Sequence, residues 1–143
     1  MTLDEILDEW RKDSDIDRTE LGEESLRTPQ LHAKYYRLFS TERLKLRKME
    51  ADLKQLKLDK YEFYTQGPNE DTPTTWKLPP RGMVIKSDVQ MYMESDRDII
   101  DRLLKIDYQR EKVEALESFV RTLTTRGYAI KNAIDFLRFT SGG

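Results

Sequence analysis

The chain has no cysteine and a single histidine among its 143 residues, and only six glycines and five prolines. Without thiols, a disulfide framework and every thiolate-based metal or redox site are excluded, which suits a reducing compartment. No apolar run approaches the roughly 20 residues needed to span a bilayer. The opening Met1-Thr2-Leu3-Asp4-Glu5 is acidic, the opposite of a signal peptide's basic start. No membrane association is therefore expected. Nucleotide-binding glycine loops, a G-x-S-x-G elbow and an H-x-x-x-H pair are all missing, and His32, alone near a helix start, reads as a capping or packing residue. The expectation is a protein that is not an enzyme, with no catalytic residue, cofactor or metal.

What the chain has in quantity is charge. Asp, Glu, Lys and Arg make up 36% of it and hydrophobic residues 37%, a balance that favours long exposed amphipathic helices over a thick core. The net charge of −2 conceals segregation along the chain. Residues 1–27 hold ten acidic and four basic side chains, whereas residues 34–60 hold nine basic and four acidic. The sum over 88–125 is −3. A net-acidic protein with one basic stretch can still bind a polyanion, because charges act within a Debye length of about 10 Å.

The length fits one domain, 1–143, and the patterning predicts an all-α fold. Thr2 and Glu5 form a capping-box pattern ahead of Leu3, Ile6, Leu7 and Trp10, and with a short piece capped by Thr19 they predict acidic N-terminal helices over 1–27. Thr28-Pro29 predicts a long basic helix over 29–66, with Leu31, Tyr35, Leu38, Leu46, Met49, Leu53, Leu56 and Phe63 on a coiled-coil-like seam interrupted by Glu42 and Lys60. The glycines and prolines of 67–86 predict an irregular connector. Ser87-Asp88-Val89-Gln90 restarts a helix over 87–126, and Arg126-Gly127 predicts a break or bend before a C-terminal helix at 127–139. Two helices of matched length, roughly 57 Å each, fold most simply as an antiparallel hairpin. The C-terminal helix is apolar on more than one side, so Tyr128, Ile130, Ile134 and Leu137 are its candidate oligomerisation residues.

Two charged clusters raise functional questions. Glu94, Asp96, Asp98 and Asp101 are dense enough for a divalent-metal site and a metal-dependent nuclease, but helical spacing spreads them around the axis, which favours a solvated acidic face interleaved with Arg97 and Arg102. The basic stretch of Arg43, Lys45, Arg47, Lys48, Lys54, Lys57 and Lys60 runs into Tyr61, Phe63 and Tyr64. Cations for phosphates beside aromatics for unpaired bases suit single-stranded nucleic acid. Ordinary surface lysines, with aromatics closing the hairpin's end, remain the plainer reading.

Three patches resemble the UvsY-type recombination mediators of T-even-like phages. They are Leu3-Asp4-Glu5-Ile6-Leu7 through Ile16-Asp17-Arg18-Thr19-Glu20-Leu21, the basic helix into Tyr61-Glu62-Phe63-Tyr64-Thr65-Gln66-Gly67, and Arg126-Gly127-Tyr128-Ala129-Ile130-Lys131 through Phe139. The resemblance implies a ring-like homo-oligomer, hexamer or heptamer, assembled partly through the C-terminal helix. It also implies binding to single-stranded DNA, to a phage recombinase and to a phage single-strand-binding protein, in the cytoplasm of the infected host. It puts Lys60 in the place of a DNA-binding basic residue and Lys57 beside a second, although the family's Lys-x-Arg alternation is here Lys57-Leu58-Asp59-Lys60. Lys54, Arg47, Lys48, Arg43, Tyr61 and Tyr64 complete the expected DNA-binding set. A structural coiled-coil or virion assembly protein without DNA-binding activity is the alternative.

Overall fold

Thr2 opens the first helix through the reciprocal cap its spacing predicts. The Glu5 N–H donates to the Thr2 hydroxyl at 3.2 Å, and the Thr2 N–H donates to the Glu5 carboxylate at 3.1 Å. In a computed structural model that describes residues 1–142, four helices follow in order: α1 (Leu3–Ser14), α2 (Leu21–Gln66), α3 (Val89–Glu94) and α4 (Arg97–Thr140). The described residues contain no strand, and the fold is all-α with one pair of long helices.

Two expected helix boundaries are absent from the structure, each for a tertiary reason. α2 begins at Leu21 and runs through Pro29. A proline inside a helix costs about 3 kcal/mol, but the turns ahead of it are held from outside. Glu24 pairs with Arg126 and Arg27, and the Thr28 hydroxyl donates to the Glu24 carbonyl at 3.1 Å and accepts from Arg126 Nε. Likewise α4 passes through Gly127 without a break. Arg126 and Ile130, 5% and 1% exposed, anchor the turns on either side.

The helices contribute to two compact units, Met1–Lys45 with Gln109 onward, and Leu46–Tyr108. In the first, Ile6, Leu31, Tyr35, Leu116, Phe119 and Leu123 form the core. Each such side chain, taken wholly out of water, contributes about 1.5–3 kcal/mol. Trp10 lies flat on Phe119 at 4.4 Å and edge-on to Tyr35 at 5.1 Å, joining α1 to the early part of α2 and the late part of α4. The Tyr35 hydroxyl and the Lys34 ammonium donate to Asp13 at 2.8 and 2.7 Å, fastening the end of α1. The seam interruption Glu42 is buried and accepts from Gln109 Nε2 at 2.7 Å, with Lys112 at 3.5 Å.

In the second unit, Phe63, Tyr64 and Val89 are the core, and Trp76, Leu78, Val84 and Tyr92 pack against it. α2 ends where Gly67 takes φ +85° and donates its N–H to the Phe63 carbonyl at 2.9 Å. The predicted helix restart is divided. α3 stops at Ser95, and Asp96 then caps α4 by accepting from the Ile99 N–H at 3.1 Å.

Candidate nucleic-acid interface

The basic helix sorts its cations by face. In the second unit, Leu46, Leu53 and Lys60 recur at sevens and point into the seam, at 9%, 9% and 3% exposure. Arg47 and Lys54, also seven apart, lie on the outer side and Lys57 flanks the seam, and all three are exposed. None of the three has an acidic partner in ion-pair range among the described residues. Lys48, also exposed, pairs with Asp52 at 3.3 Å, a surface interaction worth little. Leu58 is half exposed among these cations, and Tyr61 is half-buried at the same end of the helix. Lys57 also borders a small groove with Gln90, Met93, Glu94, Ile99 and Leu103.

Lys60 and Tyr64 stand apart from this set. The Lys60 ammonium donates to Asp98 at 2.7 Å, lies 3.0 Å from Asp96 and sits 3.9 Å from the ring centre of Trp76. Tyr64 is buried and donates its hydroxyl to the same Asp96 oxygen at 2.6 Å. Burial acts to raise the Asp96 pKa, but the hydrogen bonds from Tyr64, the Ile99 N–H and Lys60 outweigh it and hold the carboxyl below its ordinary value. Burial, followed by donation to Asp96, pushes the Tyr64 phenol well above its ordinary value, so it stays a neutral donor. In this conformation Lys60 and Tyr64 have no free face for a phosphate or a base.

The acidic cluster is therefore not uniformly solvated. Asp96 is buried as a cap and ion-pair partner, Asp98 is half exposed, and Asp101 pairs with Arg97 at 3.8 Å. The sequence signal that could have separated Lys60 from its neighbours was its place as an interruption of the apolar seam.

Arg43 belongs to the first unit, partly buried, with its guanidinium 4.8 Å from the ring centre of Phe39 and its Nε without a hydrogen bond. At the C-terminal end of α4, Tyr128 and Leu137 are 70% and 53% exposed, with Phe136 and Phe139 exposed as well, whereas Ile134 is half-buried and Ile130 is in the core. A groove of about 610 Å³ lies between this end of α4 and the chain around Ile16 and Leu21, lined also by Ala129, Ala133 and Phe136.

These features define an all-helical protein whose long helices are pinned by buried ion pairs and whose basic helix presents an unpaired cationic face. No helix of the described residues is long and apolar enough to cross a membrane. Residues 9–143 match the family described as recombination, repair and single-stranded-DNA-binding protein UvsY, and the chain belongs to that family. It is 22% identical to the recombination protein uvsY of Enterobacteria phage T4 over 142 residues, covering 99% of each chain. Two crystal structures of the bacteriophage T4 recombination mediator protein UvsY share its fold. One superposes with a TM-score of 0.80 at 20% identity, covering 98% of this chain and 99% of the other. The second, in another lattice, also gives 0.80, at 22% identity, covering 100% and 99%.

Proposed function

We propose that this chain is a recombination mediator that binds single-stranded DNA through the exposed, unpaired cations of α2 in its second unit and assists a phage recombinase in replacing a single-strand-binding protein. The observation that carries the reading is the unpaired, exposed row of Arg47, Lys54 and Lys57 in a chain of this family. Lys48 and Tyr61 border that row, and Arg43 precedes it in the first unit. Each protomer has few such cations, so useful affinity requires repetition. A ring-like hexamer or heptamer would supply it by placing several copies along one strand at high effective concentration. Tyr128 and Leu137, exposed on α4 together with Phe136 and Phe139, are the apolar surface offered for that assembly. Holding the strand in a shape that disfavours the competing binder then shifts DNA toward the recombinase-competent state, in the cytoplasm of the infected host.

The test is fluorescence anisotropy of a labelled oligonucleotide, single-stranded against duplex, across a salt series. The expected result is salt-sensitive preference for the single strand, with Lys54→Ala/Lys57→Ala weakening it and lowering the magnitude of the log–log salt slope by about 0.7 for each phosphate no longer neutralised. Equal binding by the parent and the double variant would move the site elsewhere, and no binding at all would favour a structural assembly role. For the mediator step, recombinase loading onto DNA coated with single-strand-binding protein should fail for a chain truncated before residue 127. Full activity of that truncation would refute the role of the assembly.

A further inference from the structure

Residues 76–86, Trp76-Lys77-Leu78-Pro79-Pro80-Arg81-Gly82-Met83-Val84-Ile85-Lys86, hold three cations and no acidic residue. The stretch has no regular secondary structure, yet it is fixed at several points in the second unit. Trp76, Leu78 and Val84 pack onto the cluster of Phe63 and Tyr64, and the Val84 N–H donates to the Tyr64 carbonyl at 2.7 Å. The Gly82 N–H donates to the Pro79 carbonyl at 2.8 Å, closing a turn that the φ of +90° at Gly82 completes.

Between these anchors most of the remaining side chains are exposed. Met83 and Ile85 flank the inward Val84 and are 61% and 66% exposed. Lys77, Arg81 and Lys86 are exposed, and no carboxylate among the described residues lies in ion-pair range of them.

We infer that this anchored stretch is a docking surface for an acidic, aliphatic-rich peptide segment of a partner protein. The charge is complementary to carboxylates: no carboxylate among the described residues lies in ion-pair range of the three cations. Two large aliphatic side chains beside them offer an apolar anchor, and methionine adapts its shape to varied partners. The backbone is already held by packing and by the turn, so little further ordering is needed on binding. Single-stranded nucleic acid fits less well. Stacking platforms for bases are aromatic, and the one aromatic side chain here, Trp76, is committed to Lys60 and Phe63. This stretch shares no residue with the row of Arg47, Lys54 and Lys57, so the inference is tested apart from the DNA reading.

The experiment uses the full chain and a labelled synthetic peptide in which aspartate alternates with leucine, beside one with serine in place of leucine. The parent is expected to bind the first peptide and to bind the second at least about tenfold more weakly. Arg81→Glu/Lys86→Glu and Met83→Ser/Ile85→Ser should each lower affinity for the first peptide by about tenfold or more, roughly 1.4 kcal/mol. Their thermal midpoints and single-strand affinity should stay close to the parent's. Absence of peptide binding, or binding unchanged by both double variants, overturns the proposal. A parallel loss of single-strand affinity also overturns it, and assigns the stretch to DNA instead.

Discussion

The ammonium of Lys60 and the carboxylate of Asp96 lie 3.0 Å apart with both side chains sealed from solvent, so the basic helix commits one of its cations to the inside of the fold. The same Asp96 caps α4 and accepts from Tyr64, which joins α2 and the start of α4 within the second unit. Removing the cation leaves the buried carboxylate with those two hydrogen bonds but no counter-ion. Lys60→Ala is expected to cost about 3–5 kcal/mol of stability, read from chemical denaturation. Its effect on DNA binding should follow the loss of folded protein, with the salt slope of the remaining binding equal to the parent's. Lys57→Ala should do the reverse, lowering the slope at unchanged stability. A stable Lys60→Ala chain with a reduced slope would return Lys60 to the DNA-binding set.

Arg126 performs a comparable task in the first unit. Its guanidinium donates to the Thr28 hydroxyl at 3.1 Å, to the Ser14 carbonyl at 3.4 Å and to the Glu24 carboxylate, tying the end of α1 and the first turns of α2 to α4. Arg126→Met should destabilise by about 3–4 kcal/mol, in the lower part of the range for a broken buried pair because Arg27 still reaches Glu24. Amide hydrogen exchange should show the loss first in α1 and in residues 21–28. Uniform exchange across both units would mean that the arginine does not hold this end.

The helix pair, the capping box at Thr2 and the irregular connector were legible because they are local patterns. The polar interruptions at Glu42 and Lys60 were legible as well, but their partners were not. Gln109, Asp96 and Asp98 are brought in by packing over long sequence separations that no spacing rule encodes. The same limit explains Pro29 and Gly127. Both residues are helix punctuation by local propensity, and both are overruled by tertiary anchors at Glu24, Arg126 and Ile130. Among the candidate DNA-binding residues, the sequence placed the basic stretch on one long helix, as the structure does. Which of its lysines face water followed from the seam register.

Carboxylates paired in the folded state set the acid limit of stability. Burial acts to raise Asp13, Glu42 and Asp96, yet each is held below its ordinary value, 3.8 for the aspartates and 4.5 for the glutamate, by donors that outweigh it. The folded chain thus binds fewer protons than the unfolded one in this range, so the contribution is complete above about pH 5 and is lost as pH falls through 4 and below. Tyr35 and Tyr64 work oppositely, raised above the ordinary 10.0 first by burial and then by donation to Asp13 and Asp96. Their contribution is complete below that value and is lost as pH rises past it. Thermal midpoints should form a plateau between these limbs. Tyr64→Phe should flatten the alkaline limb and Asp96→Asn the acid one, and limbs unaltered by both changes would contradict the assignment.

Gly127 offers a gain in stability that local reasoning would forbid. At a helix break or a left-handed cap, a side chain would be harmful. Here the residue lies inside α4 with ordinary helical geometry, and a β-carbon added to it would meet nothing within 4 Å. Glycine in a helix interior costs about 0.5–1 kcal/mol relative to alanine, because the unfolded chain has more freedom to lose. Gly127→Ala should therefore raise stability by about that amount, read as a higher denaturation midpoint with unchanged slope. Because Tyr128 and Leu137 stand on the same helix, the variant also tests the proposed assembly: a stiffer α4 should leave the oligomer intact in analytical ultracentrifugation. A destabilised variant would mean that the chain bends at this glycine in solution, and that α4 is not continuous there.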